Sequence, residues 1–134
     1  MSTIIRREKV ERVATNFQIE RSSHGALRVL ALDGYLDAHT APQFENAIQE
    51  EMQAGQLNLV ADCSKLTYIS SAGLGVFMSF IEEIRDAGGD IKLAGISPKV
   101  YQVFEVLGFP ALFDILDSVA AAEAKFAEGG HKES

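Results

Sequence analysis

The sequence predicts an α/β domain: a mixed, mostly parallel sheet of four to five strands with about four helices packed on it. Three observations carry that prediction. Short apolar segments alternate with stretches of helical periodicity, the pattern left by strands joined through helical crossovers. The first two segments instead alternate apolar and polar residues and are joined by a Gly-containing turn, as in a hairpin. A later segment, Gln56 to Asp62, is apolar at Leu57, Leu59, Val60 and Ala61 without alternation, as in an interior parallel strand covered on both faces.

The elements follow in chain order. Residues 1–16 carry a weak helical stripe (Ile4, Ile5, Val10, Val13) and read as an N-terminal arm or a short extra helix. Phe17 to Arg21 alternates, Ser22-Ser23-His24-Gly25 turns, and Leu27 to Leu32 resumes the alternation, the second strand ending near Asp33-Gly34. Thr40 followed three residues later by Gln43 forms a capping-box pattern, and Pro42 sits in the first turn where its missing N–H costs little. Ala41, Phe44, Ala47, Ile48 and Met52 then fall at helical spacing until Gly55 closes the first helix. After the interior strand, Leu74, Phe77, Met78, Ile81 and Ile84 form the stripe of a second helix that ends at Gly88-Gly89. Asp90 to Ala94 is a short strand. Ser97-Pro98 opens a third helix with Val100, Val103, Phe104 and Leu107 as its apolar face and Gly108 beyond its end. Phe109-Pro110 turns, Leu112 to Ile115 makes a brief edge strand, and Asp117 or Ser118 caps a last helix bearing Val119, Ala122 and Phe126. Residues 17–127 therefore form the domain, and the ending 128–134 reads as a disordered tail with nothing to bury.

Composition narrows the function classes. The chain has 134 residues, 47% of them apolar, enough for one core. It holds no apolar run near the ~18 residues that a membrane span needs, and the N-terminus lacks the apolar core of a secretory signal. Cys63 is the single cysteine, so no internal disulfide and no metal-ligand spacing exist. It reads as a small strand-end filler in a reducing, cytoplasmic setting. The net charge is −7, and residues 1–16 carry four basic and two acidic side chains against eight and seventeen in the remainder. So acidic a body is a poor match for nucleic acid, whose affinity comes largely from neutralised phosphates. Protein partners are expected, with no nucleic acid, no membrane, no metal and no cofactor, and with the chain a monomer or weak dimer.

Chain order then locates a site. Strands two and three are joined by a helical crossover, so they run parallel and their carboxyl ends share one edge of the sheet. The loops Asp33 to Thr40 and Ser64 to Ser71 meet on that edge, where open α/β sheets bind their ligands and partners. Asp37, Ser70 and Ser71 are thereby brought near one another. A hydroxyl at a helix mouth can cap the helix, hold an anion, or become one by phosphorylation. Gly73 and Gly75 inside the second helix each cost ~1 kcal/mol relative to Ala, so each needs close packing or a close-approaching partner. Val76 and Phe80 point away from the core stripe, so they form either its margin or an exposed apolar patch for docking.

The stretch VADCSKLTYISSAGLG resembles the signature loop of STAS-domain proteins, the bacterial anti-sigma-factor antagonists and their relatives. Upstream, Gly34, Leu36, Asp37 and Thr40 in DGYLDAHT resemble the family's other marker. The resemblance covers about Phe17 to Phe126 and implies a partner switch. The antagonist would bind an ATP-dependent anti-sigma kinase, be phosphorylated on a serine at the start of the second helix, and be reset by a serine phosphatase. Ser71 is the matching phosphoacceptor. Many members carry Asp before that serine where this chain has Ser70, which leaves Ser70 as a second candidate acceptor. Asp37, Thr40, Ser70, Ser71, Gly73, Gly75, Val76 and Phe80 are the expected partner-binding residues.

Two other classes compete. A serine hydrolase would need a nucleophile elbow, Gly-x-Ser-x-Gly, and Ser71 has Ile69 where the first glycine belongs, although Asp37 and His39 share its edge. There is no Walker A loop and no dinucleotide fingerprint, so the chain reads as a non-enzyme. A non-switching STAS adaptor, in a stressosome-like or lipid-transport assembly, or a small-anion binder at the Ser71 helix mouth, would use the same fold.

Overall fold

The computed structural model describes residues 10–14 and 16–129. In chain order they form β1 (Val10–Ala14), β2 (Phe17–His24), β3 (Leu27–Leu36), α1 (Ala41–Gln53), β4 (Asn58–Ile69), α2 (Ser71–Asp86), β5 (Asp90–Ala94), α3 (Pro98–Val106), α4 (Phe109–Leu112), β6 (Ile115–Leu116) and α5 (Val119–Ala127). The six strands make one sheet whose spatial order is their chain order. Neighbours are antiparallel from β1 to β3 and parallel from β3 to β6. The mixed α/β class predicted from the sequence is the class observed, with one strand more than expected.

That strand is β1. Val10 and Val13, read as part of an arm or helix, lie instead beside β2, with Val10 opposite Glu20 and Ala14 opposite Phe17. A helix this short is marginal on its own, whereas an existing sheet edge supplies hydrogen-bond partners at once. Ile4 and Ile5, and residues 130–134 of the expected tail, lie outside the described residues.

β3 and β4 also run on further than their patterns suggest. β5 ends at Ala94 beside Asp62, but β3 and β4 continue together through Asp33–Lys65, Gly34–Leu66, Tyr35–Tyr68 and Leu36–Ile69. Two register shifts along this pair break the simple alternation. The loops expected over Asp33 to Thr40 and Ser64 to Ser71 thus shrink to a few residues at the strand tips. Ser64, Lys65 and Thr67 looked like loop residues because this part of β4 has outrun β5 and stands exposed. Gly34 is obligatory here, since it adopts φ +107° and presses on the Asn16 backbone.

The main core lies between the sheet and α1 to α4. Phe77 of α2 is its hub, edge-on to Phe44 of α1 at 5.2 Å and to Phe104 of α3 at 6.3 Å, with Phe109 and Phe113 at 6.2 and 6.0 Å. The other face is covered by α5, where Ala122, Val119 and Phe126 pack over Leu27, Val29, Val60 and Ala94. Cys63 is buried in the main core as expected, and burial, aided by Asp62, pushes its thiol far above the ordinary range.

Two buried charge clusters have no counterpart in the sequence reading. Glu51 of α1 accepts from Arg28 at 2.8 and 3.0 Å and from Arg21 at 3.5 Å, tying α1 to β2 and β3. Lys92 of β5 is 1% exposed and sits 2.8 Å from both Asp90 and Asp114, and Asp90 also accepts from Arg85 at 2.8 Å. The Lys92 ammonium lies 4.5 Å from the Phe126 ring centroid, under α5. Among the described residues, Arg85 and Lys92 balance the carboxylates of Asp90 and Asp114, the condition for keeping ions in a core.

Candidate functional site

The two loops do share an edge. The Ser70 N–H donates to the Leu36 carbonyl at 3.0 Å, stitching the tip of β4 to the tip of β3. Asp37, Ser70 and Ser71 are consequently side by side at the mouths of α1 and α2.

The mouth of α1 is closed. The Thr40 hydroxyl donates to the Tyr35 carbonyl and accepts from the Asp37 N–H, each at 2.9 Å. The Asp37 carboxylate in turn accepts from the backbone N–H of His39 at 3.0 Å and of Thr40 at 3.3 Å. The expected Thr40–Gln43 capping box does not form. Thr40 has a helical backbone, φ −104° and ψ −14°, and its hydroxyl is already consumed in the turn. Gln43 is buried, and its amide finds no partner among the described residues. Thr40 is itself only 1% exposed, and its hydroxyl shapes the loop from within.

The mouth of α2 is open. Ser70 has the extended backbone of an N-cap, φ −102° and ψ 175°, and its hydroxyl accepts from the Gly73 N–H at 3.4 Å. Ser71, the first helical residue, is exposed, and among the described residues its hydroxyl makes no hydrogen bond. The serines therefore differ in kind: one is used by the fold and the other is left over.

The glycines differ in the same way. A Cβ at Gly73 would stand 2.8 Å from both the Leu36 carbonyl oxygen and its Cγ, and 2.9 Å from Ile69 Cγ1. Gly73 is required by close packing. Gly75 is exposed, has no positive φ, and a Cβ there would meet nothing within 4 Å. No contact among the described residues accounts for its helix cost.

The apolar patch lies elsewhere than predicted. Val76 is 1% exposed and belongs to the main core, and Phe80 is half-buried against that core. On α3, by contrast, only Val100 and Phe104 are buried. Val103 and Leu107, expected in its core face, are 36% and 54% exposed, and Val106 is 83% exposed. With Tyr68, Ser70, Ser71, Leu74, Lys99 and Gln102 they line a shallow groove of about 640 Å³ between the mouth of α2 and α3. The signal available in the sequence was the run VFEVLGF, which holds more apolar residues than one face of so short a helix can bury.

This arrangement can be set beside known proteins. The STAS-domain family matches residues 18–122, most of the chain and all of the edge just described. The chain belongs to the STAS-domain family. BtrV of Bordetella bronchiseptica, provisionally named an anti-sigma factor antagonist, is 34% identical over 98 residues, covering 73% of this chain and 84% of BtrV. The anti-sigma F factor antagonist of Paenibacillus polymyxa is 28% identical over 104 residues, covering 77% and 89%. The solved structure of the Bacillus cell fate determinant SpoIIAA in its phosphorylated form superposes with a TM-score of 0.63 at 23% identity, over 81% of this chain and 97% of that one.

Antagonists of the STAS family are regulators without enzymatic activity. In this STAS domain Asp37 spends its carboxylate on backbone N–H groups, and among the described residues no hydrogen bond joins Ser71 to His39. No helix among those residues is long and apolar enough to cross a membrane, and no group of three or more metal-binding side chains is present.

Proposed function

We propose that this STAS domain is an anti-sigma factor antagonist acting by partner switching in the cytoplasm, with Ser71 as the phosphoacceptor. In its unmodified form it docks on an ATP-dependent anti-sigma serine kinase; phosphorylation of Ser71 releases it, and a serine phosphatase resets it. The observation that carries this reading is the exposed, unengaged Ser71 hydroxyl beside an apolar groove and beside Gly75, whose open flank admits close approach. Ser70 supports it from the other side. Asp and Ser are comparably good N-caps, and Ser70, standing where many family members carry Asp, is occupied as the cap of α2.

A phosphate adds about −1.5 to −2 charge, and the dipole of α2 favours it by only ~0.3–1 kcal/mol. That is small against the ~5–15 kcal/mol stability of an ordinary domain, so the modification acts on docking and leaves the fold alone. The test is to mix the protein with a candidate anti-sigma serine kinase and ATP, then map the product by mass spectrometry. Phosphate on Ser71, lost in Ser71→Ala and kept in Ser70→Ala, is the expected result. Absence of modification, with Ser71→Asp binding every partner normally, would favour a non-switching adaptor.

A further inference from the structure

The groove beside Ser71 has an unusual charge for this protein. The chain carries −7 overall, yet no carboxylate stands among the described residues lining the groove, and its one formally charged side chain is Lys99. Lys99 is exposed and has no ion-pair partner among the described residues. Its position is unfavourable to its own helix: it sits two residues after the N-cap Ser97, where the dipole of α3 repels a cation. Gln102 and Val103, one turn further along α3, and then Val106, continue the same groove-lining face. The first turns of two helices thus converge on a hollow whose only full charge among the described residues is the unpaired cation of Lys99.

We propose that Lys99 captures the phosphate of phospho-Ser71 across the groove, so that the modified serine becomes an occupant of the apolar docking site. This rests on Ser71 being the phosphoacceptor and adds the means by which the modification acts. Lys99 is a positioning residue in this scheme. A dianion held between the mouth of α2 and the Lys99 ammonium places a solvated, charged group over Val103, Val106 and Leu107. A partner's apolar side chains then have to displace an ion pair to reach them, which closes the groove without any change of fold.

Phosphoserine installed at position 71 by genetic encoding, with no kinase present, tests the capture independently of whether a kinase modifies the site. The second phosphate pKa, ordinarily about 6, is read by ³¹P NMR titration in the parent, in Lys99→Gln and in Lys99→Arg. Capture predicts a value lower in the parent and in Lys99→Arg than in Lys99→Gln by roughly half a unit or more, the direction a nearby cation imposes. Asp37 and His39 on the neighbouring loop are common to all three proteins, so the difference isolates Lys99. Methyl spectra of Val103, Val106 and Leu107 give a second readout, shifting on phosphorylation in the parent and much less in Lys99→Gln. Indistinguishable titrations in the parent and Lys99→Gln, or methyl shifts of equal size in both, would overturn the proposal.

Discussion

The mouths of α1 and α2 lie side by side on one sheet edge, and they use the same small polar chemistry to opposite ends. At α1, Asp37 and Thr40 spend their side chains on each other and on nearby backbone groups, and Thr40 is sealed from solvent. At α2, one serine caps the helix and the next is left exposed with its hydroxyl unengaged. The contrast teaches that helix-start motifs do not announce their role by residue type. What separates a structural hydroxyl from an available one is whether a backbone group stands within reach of it.

The contrast can be broken at its closed side first. Thr40→Val removes a hydroxyl that serves both the Asp37 N–H and the Tyr35 carbonyl, and leaves two polar groups unpaired in a part-buried turn. The expected loss is about 1–3 kcal/mol in urea denaturation, with the m-value unchanged. The glycine pair comes next. Gly73→Ala should cost about 1–2 kcal/mol, an overpacking penalty of ~1–3 kcal/mol partly offset by the better helix propensity of Ala. Gly75→Ala should instead raise stability by up to ~1 kcal/mol while weakening kinase binding in calorimetry, because the new methyl meets only the partner. The serine pair has the smallest effect: Ser70→Ala should lose about 1 kcal/mol of stability and Ser71→Ala less than ~0.5 kcal/mol either way. Equal losses at the two serines would erase the distinction between cap and acceptor.

How far these differences were legible in the sequence follows from their range. Strand and helix order, the parallel crossover and the meeting of Asp37 with Ser70 and Ser71 come from periodicity and chain order, which are properties of single segments and their sequence. A cap of α5 at Asp117 or Ser118, where Ser118 is the one observed, and Gly108 as the left-handed residue after α3 were readable for the same reason. What failed depended on neighbours not adjacent in the chain. Val76 is buried in the core that sheet and helices build together, and among the described residues nothing covers Val103 and Leu107 on α3. Thr40 and Gln43 had the spacing of a capping box, but the turn from Tyr35 claimed the hydroxyl. The groove is the sum of such misplacements: residues assigned to the core of α3 became the wall beside Ser71.

The buried ammonium of Lys92 sets a limit on how the molecule can be cut down. Its two carboxylate partners come from the start of β5 and from just before β6, and its lid is a ring near the end of α5. A fragment ending before Phe126 would retain every residue of the Ser71 edge yet uncover this charge cluster and the apolar patch of β3 and β4 that α5 shields. The C-terminal helix, remote from the switch region, is therefore part of the smallest piece of the chain in which that region can be studied.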